Sequence, residues 1–513
     1  MLDWSSSGPI HCRNRSEPPS RVSTLSASAS TASLPLYVDL DGTLTRTDTL
    51  VESVLMLVRQ HPLNLLRLLA WLLLGQAGFK QRLADAVRPD PARLPYHGAF
   101  LKYLQAEVQR GRLLVLASAA DARIVREVAG YLGLFSDTLG TLGSEGPNLK
   151  RHHKRAAIEA HARAHGHLRW AYAGNSRDDL PVWAASAQAV AVNTPAHVLA
   201  ALQRQHPQAR VFKRVPLNLR TVLRAIRLPQ WSKNALLFLP LLGAHSLQAS
   251  AWGAVALAFV AFGLCASATY LVNDLLDLPN DRAHRLKRHR PLASAALSIP
   301  AALVLGGAMA VLAFVLALQV SLGFTALLAL YTGVTLAYSL WLKRLALLDV
   351  LLLSLLYTLR IVAGAVAGGL ALSNWLLAIS LFVFLSLALA KRCAELEALD
   401  GAQPLAPGRG YQPRDLGALR SMGIASGFLS VLVLALYIDS PNGQLLYQQP
   451  QWLWAGVPVM LLWIMRIWLK TGRRELHGED PLQFALQDLW SWVTLAVMLL
   501  LGAWATRGLA LPF

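Results

Sequence analysis

The chain has 513 residues, of which 54% are hydrophobic and only 15% are charged, and its formal net charge is +19. This composition excludes an ordinary soluble protein and indicates several membrane spans. The positive charge does not require nucleic acid as a partner, because polytopic membrane proteins concentrate Lys and Arg in their cytoplasmic connections. The cysteines Cys12, Cys265 and Cys393 lie too far apart to form a metal-binding motif.

The first 210 residues predict a tail followed by an α/β domain. Residues 1–33 are rich in Ser, Pro and Ala and lack an apolar core, so we expect a disordered tail. Residues 34–210 alternate short apolar segments with helical patterns, which predicts a doubly wound parallel sheet. Residues 51–82 are helical in pattern and very apolar, and fit either a cap packed on this domain or an interfacial helix that touches the bilayer. The predicted strands are Leu36–Leu40, Arg112–Ala117, Arg169–Ala173 and Ala189–Val192.

A candidate site for phosphate chemistry follows these strands. Asp39 and Asp41 end the first strand, at the edge of the sheet where ligands bind in open α/β folds. Asp39 can attack phosphorus, and Asp41 points to the same side and can act as general acid and base. Ser118 can donate a hydrogen bond to a phosphate, Lys154 can neutralise its charge, and Asp179 can hold Mg²⁺.

These residues resemble the four motifs of the haloacid dehalogenase (HAD) superfamily of phosphatases, over about residues 34–200. One residue departs from the pattern, because Asn175 stands where the fourth motif usually has an Asp that binds Mg²⁺. The domain is therefore either an active phosphatase or a non-catalytic scaffold or regulator. Lys150 is an alternative to Lys154. The resemblance implies a nucleophile at Asp39, an acid/base at Asp41, a Mg²⁺ site at Asp39, Asp41 and Asp179, and phosphate binding by Ser118 and Lys154.

After residue 210 the apolar segments become long enough to cross a bilayer, which predicts an all-α membrane domain over residues 211–513. Lys and Arg follow the second, fourth, sixth and eighth spans and are absent from the alternate connections. By the positive-inside rule the connections that contain Lys and Arg are cytoplasmic, and so is the N-terminal domain. We expect the membrane to be a bacterial inner membrane. The predicted spans number about nine, at 234–248, 252–273, 299–318, 322–341, 347–369, 374–391, 421–440, 451–470 and 489–507.

Three carboxylates follow the second span at the predicted membrane boundary. Asp274, Asp277 and Asp281 are spaced so that a continuous helix would place them on one face. Carboxylates on one face suit Mg²⁺, and the cations that follow them suit a diphosphate. Pro279 lies between the acids and can interrupt the helix before Asp281. The other candidate substrate-binding residues of this motif are Asn273, Lys287 and Arg290.

Further candidate residues lie in and beside other spans. Arg360 is a charge inside an apolar span, which is typical of a functional site, although an internally paired Arg is the alternative. Asp349 lies 11 residues earlier, on the same helix face. Lys233 and Asn234 precede the first span and fit either an interfacial anchor or part of a phosphate pocket. The connection between the fourth and fifth spans adds Tyr338 and Lys343.

The Asn-Asp-x-x-Asp-x-x-x-Asp motif and the predicted spans resemble the UbiA superfamily of intramembrane prenyltransferases, over about residues 211–513. The cations after Asp281, and the pattern of Tyr338, Lys343 and Asp349, look more like the branch of decaprenyl-phosphate phosphoribosyltransferases. Arg285 departs from that branch, which often has Pro there. The resemblance implies Mg²⁺ as cofactor, and phosphoribosyl diphosphate and a polyprenyl phosphate as substrates.

This resemblance predicts transfer of a phosphoribosyl group to the lipid phosphate, after which the HAD-like domain removes a phosphate from the product. The main alternative is a polyprenyltransferase that uses prenyl diphosphate and an aromatic acceptor. Such relatives tend to carry a second cluster of Asp residues, whereas this chain has only Asp349 there. A transporter is disfavoured because the acids lie at the membrane boundary and not at its midplane. The sequence does not predict an oligomeric state.

Overall fold

The structure, a computed structural model, describes residues 34–61, 63–143, 147–214, 216–398, 410–475 and 488–507. The predicted tail, residues 1–33, lies outside this part of the chain. The described residues form an α/β domain followed by a bundle of long apolar helices, which confirms the predicted fold class.

A parallel sheet of six strands forms the centre of the α/β domain. Four strands correspond to the predicted ones, whereas the third and the sixth were not predicted; the sixth places the end of the sheet just beyond the predicted boundary at residue 210. The strands are β1 (Leu36–Val38), β2 (Leu114–Asp121), β3 (Asp137–Thr141), β4 (Ala171–Gly174), β5 (Gln188–Val192) and β6 (Arg210–Phe212). Their order in the sheet is β3-β2-β1-β4-β5-β6, and all five neighbouring pairs are parallel.

Helices cover both faces of this sheet. Leu36 and Val38 of β1 enter one buried apolar cluster and Tyr37 enters another, because successive side chains of a strand point to opposite faces. Burial on both faces is typical of parallel sheets. The helices are α1 (Thr49–Gln60), α2 (Asn64–Leu72), α3 (Gly75–Ala86), α4 (Gly98–Gln109), α5 (Ala122–Leu132), α6 (Arg151–Ala164), α7 (Leu180–Ala185) and α8 (Ala196–Gln205).

Helices α1, α2 and α3 contain the apolar segment for which the sequence left two interpretations open. Leu57, Leu68 and Phe79 form a small buried cluster among them, as expected of a cap. The opposite side of α2 and its flanks exposes apolar side chains to the surroundings, as expected of an interfacial helix. These exposed residues are Leu63, Leu65, Leu66, Leu69, Leu72, Leu73 and Leu74.

Among the described residues, eight helices are long and apolar enough to cross a membrane, so the chain is an integral multi-pass membrane protein. Each corresponds to one of the predicted spans from the second onward. The bundle begins with the short helices α9 (Leu219–Ala225) and α10 (Leu239–Gly243), and α12 (Leu278–Ala283) follows the first long helix. The long helices are α11 (Ala249–Leu276), α13 (Ile299–Val320), α14 (Leu322–Leu340), α15 (Leu348–Ala367), α16 (Asn374–Glu397), α17 (Leu416–Ile438), α20 (Gly456–Gly472) and α21 (Leu489–Arg507), with α18 (Pro441–Leu446) and α19 (Gln451–Trp454) between the sixth and seventh of them.

The first predicted span, 234–248, does not form a single crossing helix. It lies in a 3₁₀ segment, Leu228–Phe238, that continues into α10, where Pro240 occupies the first turn. This segment packs tightly on α15, because a Cβ added at Gly364 would lie 2.0 Å from the carbonyl oxygen of Leu237. Only a glycine permits this approach, which carries the 3₁₀ segment into the interior of the bundle.

Candidate active sites

The first candidate site lies at the carboxyl end of β1. Asp39 follows the strand directly, and the chain then makes a single loose turn in which Gly42 has a φ of +77°. Asp41 is held in this turn because its Oδ1 accepts a hydrogen bond of 2.7 Å from the backbone N–H of Thr49. A Cβ at Gly42 would lie 2.0 Å from the side-chain nitrogen of Asn175. The glycine therefore serves both the turn and the close approach of Asn175.

Lys154 occupies the position that the sequence predicted for a phosphate-binding cation. Its Nζ donates to Oδ1 of Asp39 at 2.8 Å and to Oδ1 of Asp179 at 3.4 Å, and all three side chains are buried. The alternative, Lys150, is half exposed and its Nζ lies 3.9 Å from Asp178 at the surface. The geometry therefore favours Lys154.

Asp179 is buried and both of its carboxylate oxygens accept hydrogen bonds. Oδ1 also accepts from the hydroxyl of Tyr172 at 2.6 Å. Oδ2 accepts from the backbone N–H groups of Asn175 and Ser176 at 3.0 and 2.9 Å, and from the Ser176 hydroxyl at 3.0 Å. These bonds fix the loop after β4 and the ammonium group of Lys154, so they favour a positioning role over direct contact with a metal.

The electrostatics of the site follow from its burial. Burial raises the pKa of Asp39 to about 6, although Lys154 acts in the opposite direction. Burial, and next the charge of Asp48, raise the pKa of Asp41 to about 7. Burial opposes the charge of Lys154, but Asp39 and Asp179 raise its pKa above the usual range. The site thus combines a fixed cation with two carboxyl groups that protonate near neutral pH, which suits acid–base chemistry.

A cavity of about 400 Å³ opens above these residues, which is a typical size for a small-molecule site. Ser118 is buried at its wall, and its hydroxyl accepts a hydrogen bond of 3.1 Å from the backbone N–H of Ala120. The hydroxyl hydrogen remains available as a donor. The cavity therefore brings together the predicted residues of the α/β domain, namely Asp39, Asp41, Ser118, Lys154 and Asp179.

The second candidate site lies where α11 ends. The chain turns at Asp277, and Pro279 falls in the first turn of α12, where proline is tolerated because its missing N–H has no helical partner. The predicted interruption of the helix is therefore confirmed. Asp274 belongs to one helix and Asp281 to the next, so a single helical face does not unite the three acids.

Arg290 unites two of these acids instead. Its Nη1 donates to Oδ2 of Asp281 at 2.7 Å and to Oδ1 of Asp274 at 3.2 Å. Arg227 also donates to Oδ1 of Asp274, although it was not predicted as a site residue. Its φ of +53° is unusual for a residue other than glycine and is typical of strained positions in functional sites.

The other residues of the motif surround this cluster unequally. Lys343 lies with its Nζ 3.5 Å from Oδ2 of Asp277, which joins two predicted residues from separate connections. Oδ1 of Asn273 is buried and accepts no hydrogen bond from any described residue. Lys287 is exposed, so the structure does not bring it into the cluster.

Arg360 lies deep in the bundle with predicted residues of the 3₁₀ segment. Its Nε donates to Oδ1 of Asn234 at 3.2 Å and its Nη2 to the hydroxyl of Tyr331 at 3.0 Å. Its guanidinium group also lies 5.3 Å from the ring centre of Tyr357, over which Nζ of Lys233 lies at 5.8 Å. The structure thus places Lys233, Asn234 and Arg360 in one basic, aromatic-lined group.

Asp349 belongs to a different group, although it shares α15 with Arg360. It is fully buried, and its Oδ2 accepts a bond of 2.7 Å from Nε of Arg392. Nη2 of Arg392 also donates to the hydroxyl of Tyr338 at 3.2 Å, and Tyr411 donates to Oδ1 of Asp349. The sequence did not select Arg392 or Tyr411, because neither belongs to a recognisable motif.

Both sites offer the oxygen ligands that Mg²⁺ requires. Asp39, Asp41 and Asn175 line the cavity of the first site. Asp274, Asp277 and Asp281 supply carboxylates at the second, and the neighbouring Asn273 has an amide oxygen that accepts no hydrogen bond from any described residue. The donor sets therefore fit a divalent cation at either place.

The fold and the two sites define a multi-pass membrane protein with a parallel α/β domain that carries a phosphatase-like site, ahead of a helical domain that has an acidic, cation-lined site. Residues 235–492 match the UbiA prenyltransferase family, and residues 36–183 match the haloacid dehalogenase-like hydrolases. The chain therefore belongs to the UbiA prenyltransferase family and carries a HAD-like domain at its N-terminal side.

Three relatives show what the chain is similar to. The uncharacterized protein y4nM of Sinorhizobium fredii is 37% identical over 468 residues, which cover 90% of this chain and 88% of that protein. The nodulation protein NoeC of Azorhizobium caulinodans is 34% identical over 277 residues, 52% of this chain and 87% of that protein. The decaprenyl-phosphate phosphoribosyltransferase of Mycolicibacterium smegmatis is 37% identical over 181 residues, 34% of this chain and 57% of that protein.

Proposed function

We propose that the membrane domain transfers a phosphoribosyl group from phosphoribosyl diphosphate to a polyprenyl phosphate, and that the HAD-like domain then removes the sugar phosphate. The observation that carries the transferase proposal is the cluster in which Arg290 bridges Asp274 and Asp281. Acids beside arginines provide ligands for a metal and for a diphosphate at one place. The similarity to decaprenyl-phosphate phosphoribosyltransferases supports the choice of substrates.

In the transfer, Asp274, Asp277 and Asp281 would hold Mg²⁺, which would supply positive charge for the leaving diphosphate. Arg227 and Arg290, which bond the carboxylate of Asp274, would provide further positive charge for the diphosphate. The lipid phosphate, for which Lys343, Lys233 and Arg360 provide positive charge, forms a bond from its oxygen to the anomeric carbon. The bond from that carbon to the diphosphate breaks, and the diphosphate leaves with the electron pair. Positioning and electrostatic stabilisation supply the rate acceleration.

In the phosphatase step, the Asp39 carboxylate attacks phosphorus while Lys154 binds the phosphate oxygens. Asp41 donates a proton to the departing sugar oxygen and then removes one from the water that hydrolyses the aspartyl phosphate. The burial of Asp39 and the raised pKa of Asp41 support these roles. We place this domain on the cytoplasmic side of a bacterial inner membrane, as the distribution of Lys and Arg indicates.

A product assay tests both steps. Purified protein in detergent receives Mg²⁺, phosphoribosyl diphosphate and a polyprenyl phosphate, and mass spectrometry reads the lipid products. We expect a ribosyl lipid that lacks the sugar phosphate from the wild type, the phosphorylated lipid from Asp39→Asn, and no ribosyl lipid from Asp274→Ala. Full transfer by a folded Asp274→Ala variant would refute the transferase assignment.

Two observations define the alternatives that the same assay separates. Asp349 pairs with Arg392, which also binds Glu395, and the sequence has only Asp349 where aromatic-type relatives tend to carry a second cluster of Asp residues, which disfavours an aromatic-acceptor prenyltransferase. Turnover of a prenyl diphosphate with an aromatic acid would nevertheless select that function. Asn175 favours a non-catalytic HAD-like domain, which predicts that wild type and Asp39→Asn yield the same phosphorylated lipid.

A further inference from the structure

The membrane domain forms one wall of the cavity above Asp39. Arg282 of α12 lines this cavity, as do Leu292, Ala295, Leu297, Ile299 and Pro300 of the segment that leads into α13. The phosphate-binding end of the cavity is polar and charged, whereas the segment opposite it is mainly apolar. Because α13 begins at Ile299, this apolar wall lies at the end of a membrane-spanning helix.

A buried ion pair holds the two domains together beside this wall. Nη2 of Arg282 donates to Oε1 of Glu52 on α1 at 2.7 Å, and both side chains are more than nine-tenths buried. The same Glu52 oxygen accepts a bond of 2.8 Å from the hydroxyl of Thr47, which lines the cavity. Nε of Arg282 donates to the carbonyl oxygen of Ala293 at 3.2 Å. Arg282 therefore fixes the wall segment against the cap of the HAD-like domain.

Apolar packing extends the contact around this pair. Val51 and Leu55 of α1 pack against a buried cluster of the membrane domain that includes Leu271, Leu275 and Leu292. The ion pair and this apolar packing together hold the wall segment against α1. Loss of either partner of such a buried ion pair is strongly destabilising.

The short helix α12 also separates the two candidate sites. Asp281 faces the transferase cluster through its bond with Arg290, whereas the next residue, Arg282, faces the phosphatase cavity. A single turn of helix therefore lies between a site that produces a phosphorylated lipid and a site that can remove the phosphate.

We propose that the membrane domain supplies the specificity wall of the phosphatase pocket, and that the substrate of this pocket is a phosphomonoester carried on a membrane lipid. This inference rests on the proposed phosphatase function. The phosphate group binds at Asp39, Ser118 and Lys154, and the lipid-linked remainder covers the apolar segment from Leu292 to Pro300. A small soluble phosphomonoester fills only the polar end of the cavity, so the apolar wall does not contribute to its binding.

Polar substitutions on the wall test this inference in the full-length protein. Ala295→Asn places an amide on the wall, and asparagine tolerates the φ of +54° at this position. Pro300→Glu places a carboxylate there, and the first turn of a helix accepts an acid. Ala296→Asn is the matched control, because Ala296 is the exposed neighbour that does not line the cavity.

The readout is the ratio of kcat/KM for a farnesyl-phosphoryl-ribose that carries a 5-phosphate to kcat/KM for p-nitrophenyl phosphate. We expect this ratio to fall about tenfold or more in Ala295→Asn and Pro300→Glu, as for the loss of one good apolar contact, and to stay at the wild-type value in Ala296→Asn. Equal ratios in all four proteins would refute the proposed role of the wall in substrate specificity but would leave the phosphatase function intact. If the wild type hydrolysed neither of the two substrates, the phosphatase function would be refuted, and the inference that rests on it would be refuted as well.

Discussion

The cation beside Asp39 allows a sharp test of the phosphatase site, through replacement of Lys154 by methionine. The ammonium group contacts Asp39, Asp179 and Tyr172 at 2.8, 3.4 and 3.0 Å, and all four side chains are buried. Methionine keeps most of the side-chain volume but removes the charge. Two buried carboxylates then lose their counterion, so the change affects both stability and phosphate binding.

The expected magnitudes follow from this burial. Removal of one partner from a buried ion pair costs about 3–5 kcal/mol, which is a large share of the roughly 5–15 kcal/mol that stabilises a domain. Loss of a fixed charge that binds the reacting phosphate reduces kcat about 10²–10³-fold, as for loss of one donor from a preorganised site. Lys150→Met is the control, because its half-exposed ammonium lies 3.9 Å from Asp178 and such pairs contribute about 0–1 kcal/mol.

Two assays measure these effects in the full-length protein. Hydrogen–deuterium exchange of peptides from β1 and β4 reports the opening of this domain, which we expect to become roughly 10²–10⁴-fold more frequent in Lys154→Met. Hydrolysis of p-nitrophenyl phosphate reports the chemistry. Retained hydrolysis in Lys154→Met together with lost hydrolysis in Lys150→Met would refute the assignment and select Lys150.

Three further predictions concern other positions. Asn175→Asp adds a charge to the ligand set, so we expect half-maximal phosphatase activity at several-fold less Mg²⁺, and an unchanged requirement would place the metal elsewhere. Gly364→Ala drives a Cβ into the packed 3₁₀ segment, so we expect transferase activity to be lost and the free energy of unfolding to fall by about 1–3 kcal/mol. Gly307→Ala is the control, because there is open space around Gly307, and it should retain both the activity and the stability. Asp349→Asn and Arg392→Gln should each lower the melting temperature. Because the two residues form a buried pair, the double variant should lose less stability than the sum of the two single variants, and additive losses would contradict this pairing.

Much of the α/β domain could be predicted because its determinants are local. Asp39 and Asp41 follow a short apolar strand, and a parallel sheet necessarily brings the ends of such strands to one edge. The strands β3 and β6 were missed because they are short and each begins with an exposed charged residue, Asp137 and Arg210 respectively. Their pairing is decided by the neighbouring strands in space and not by their own sequence.

The transferase cluster could be predicted only in part, because its contacts join distant segments. The spacing of Asp274, Asp277 and Asp281 identified the acids, but the turn at Asp277 replaced the expected common face. Arg227 reaches Asp274 from a segment 47 residues earlier, and Arg392 reaches Asp349 from the next long helix. Periodicity reports the face of one helix and carries no information about which charge the facing helix supplies.

The first apolar segment of the bundle shows how packing overrides hydropathy. Residues 234–248 are apolar enough to suggest a span, yet they form the 3₁₀ segment and α10, with Leu237 and Leu241 fully buried. Such an irregular backbone is tolerated at membrane depth only where protein surrounds it. The same irregularity places Lys233 and Asn234 inside the bundle beside Arg360. A regular helix that began at residue 234 would not by itself bring these two residues to that position. The segment that departs from the sequence prediction is thus the one that completes the basic group proposed to bind the lipid phosphate.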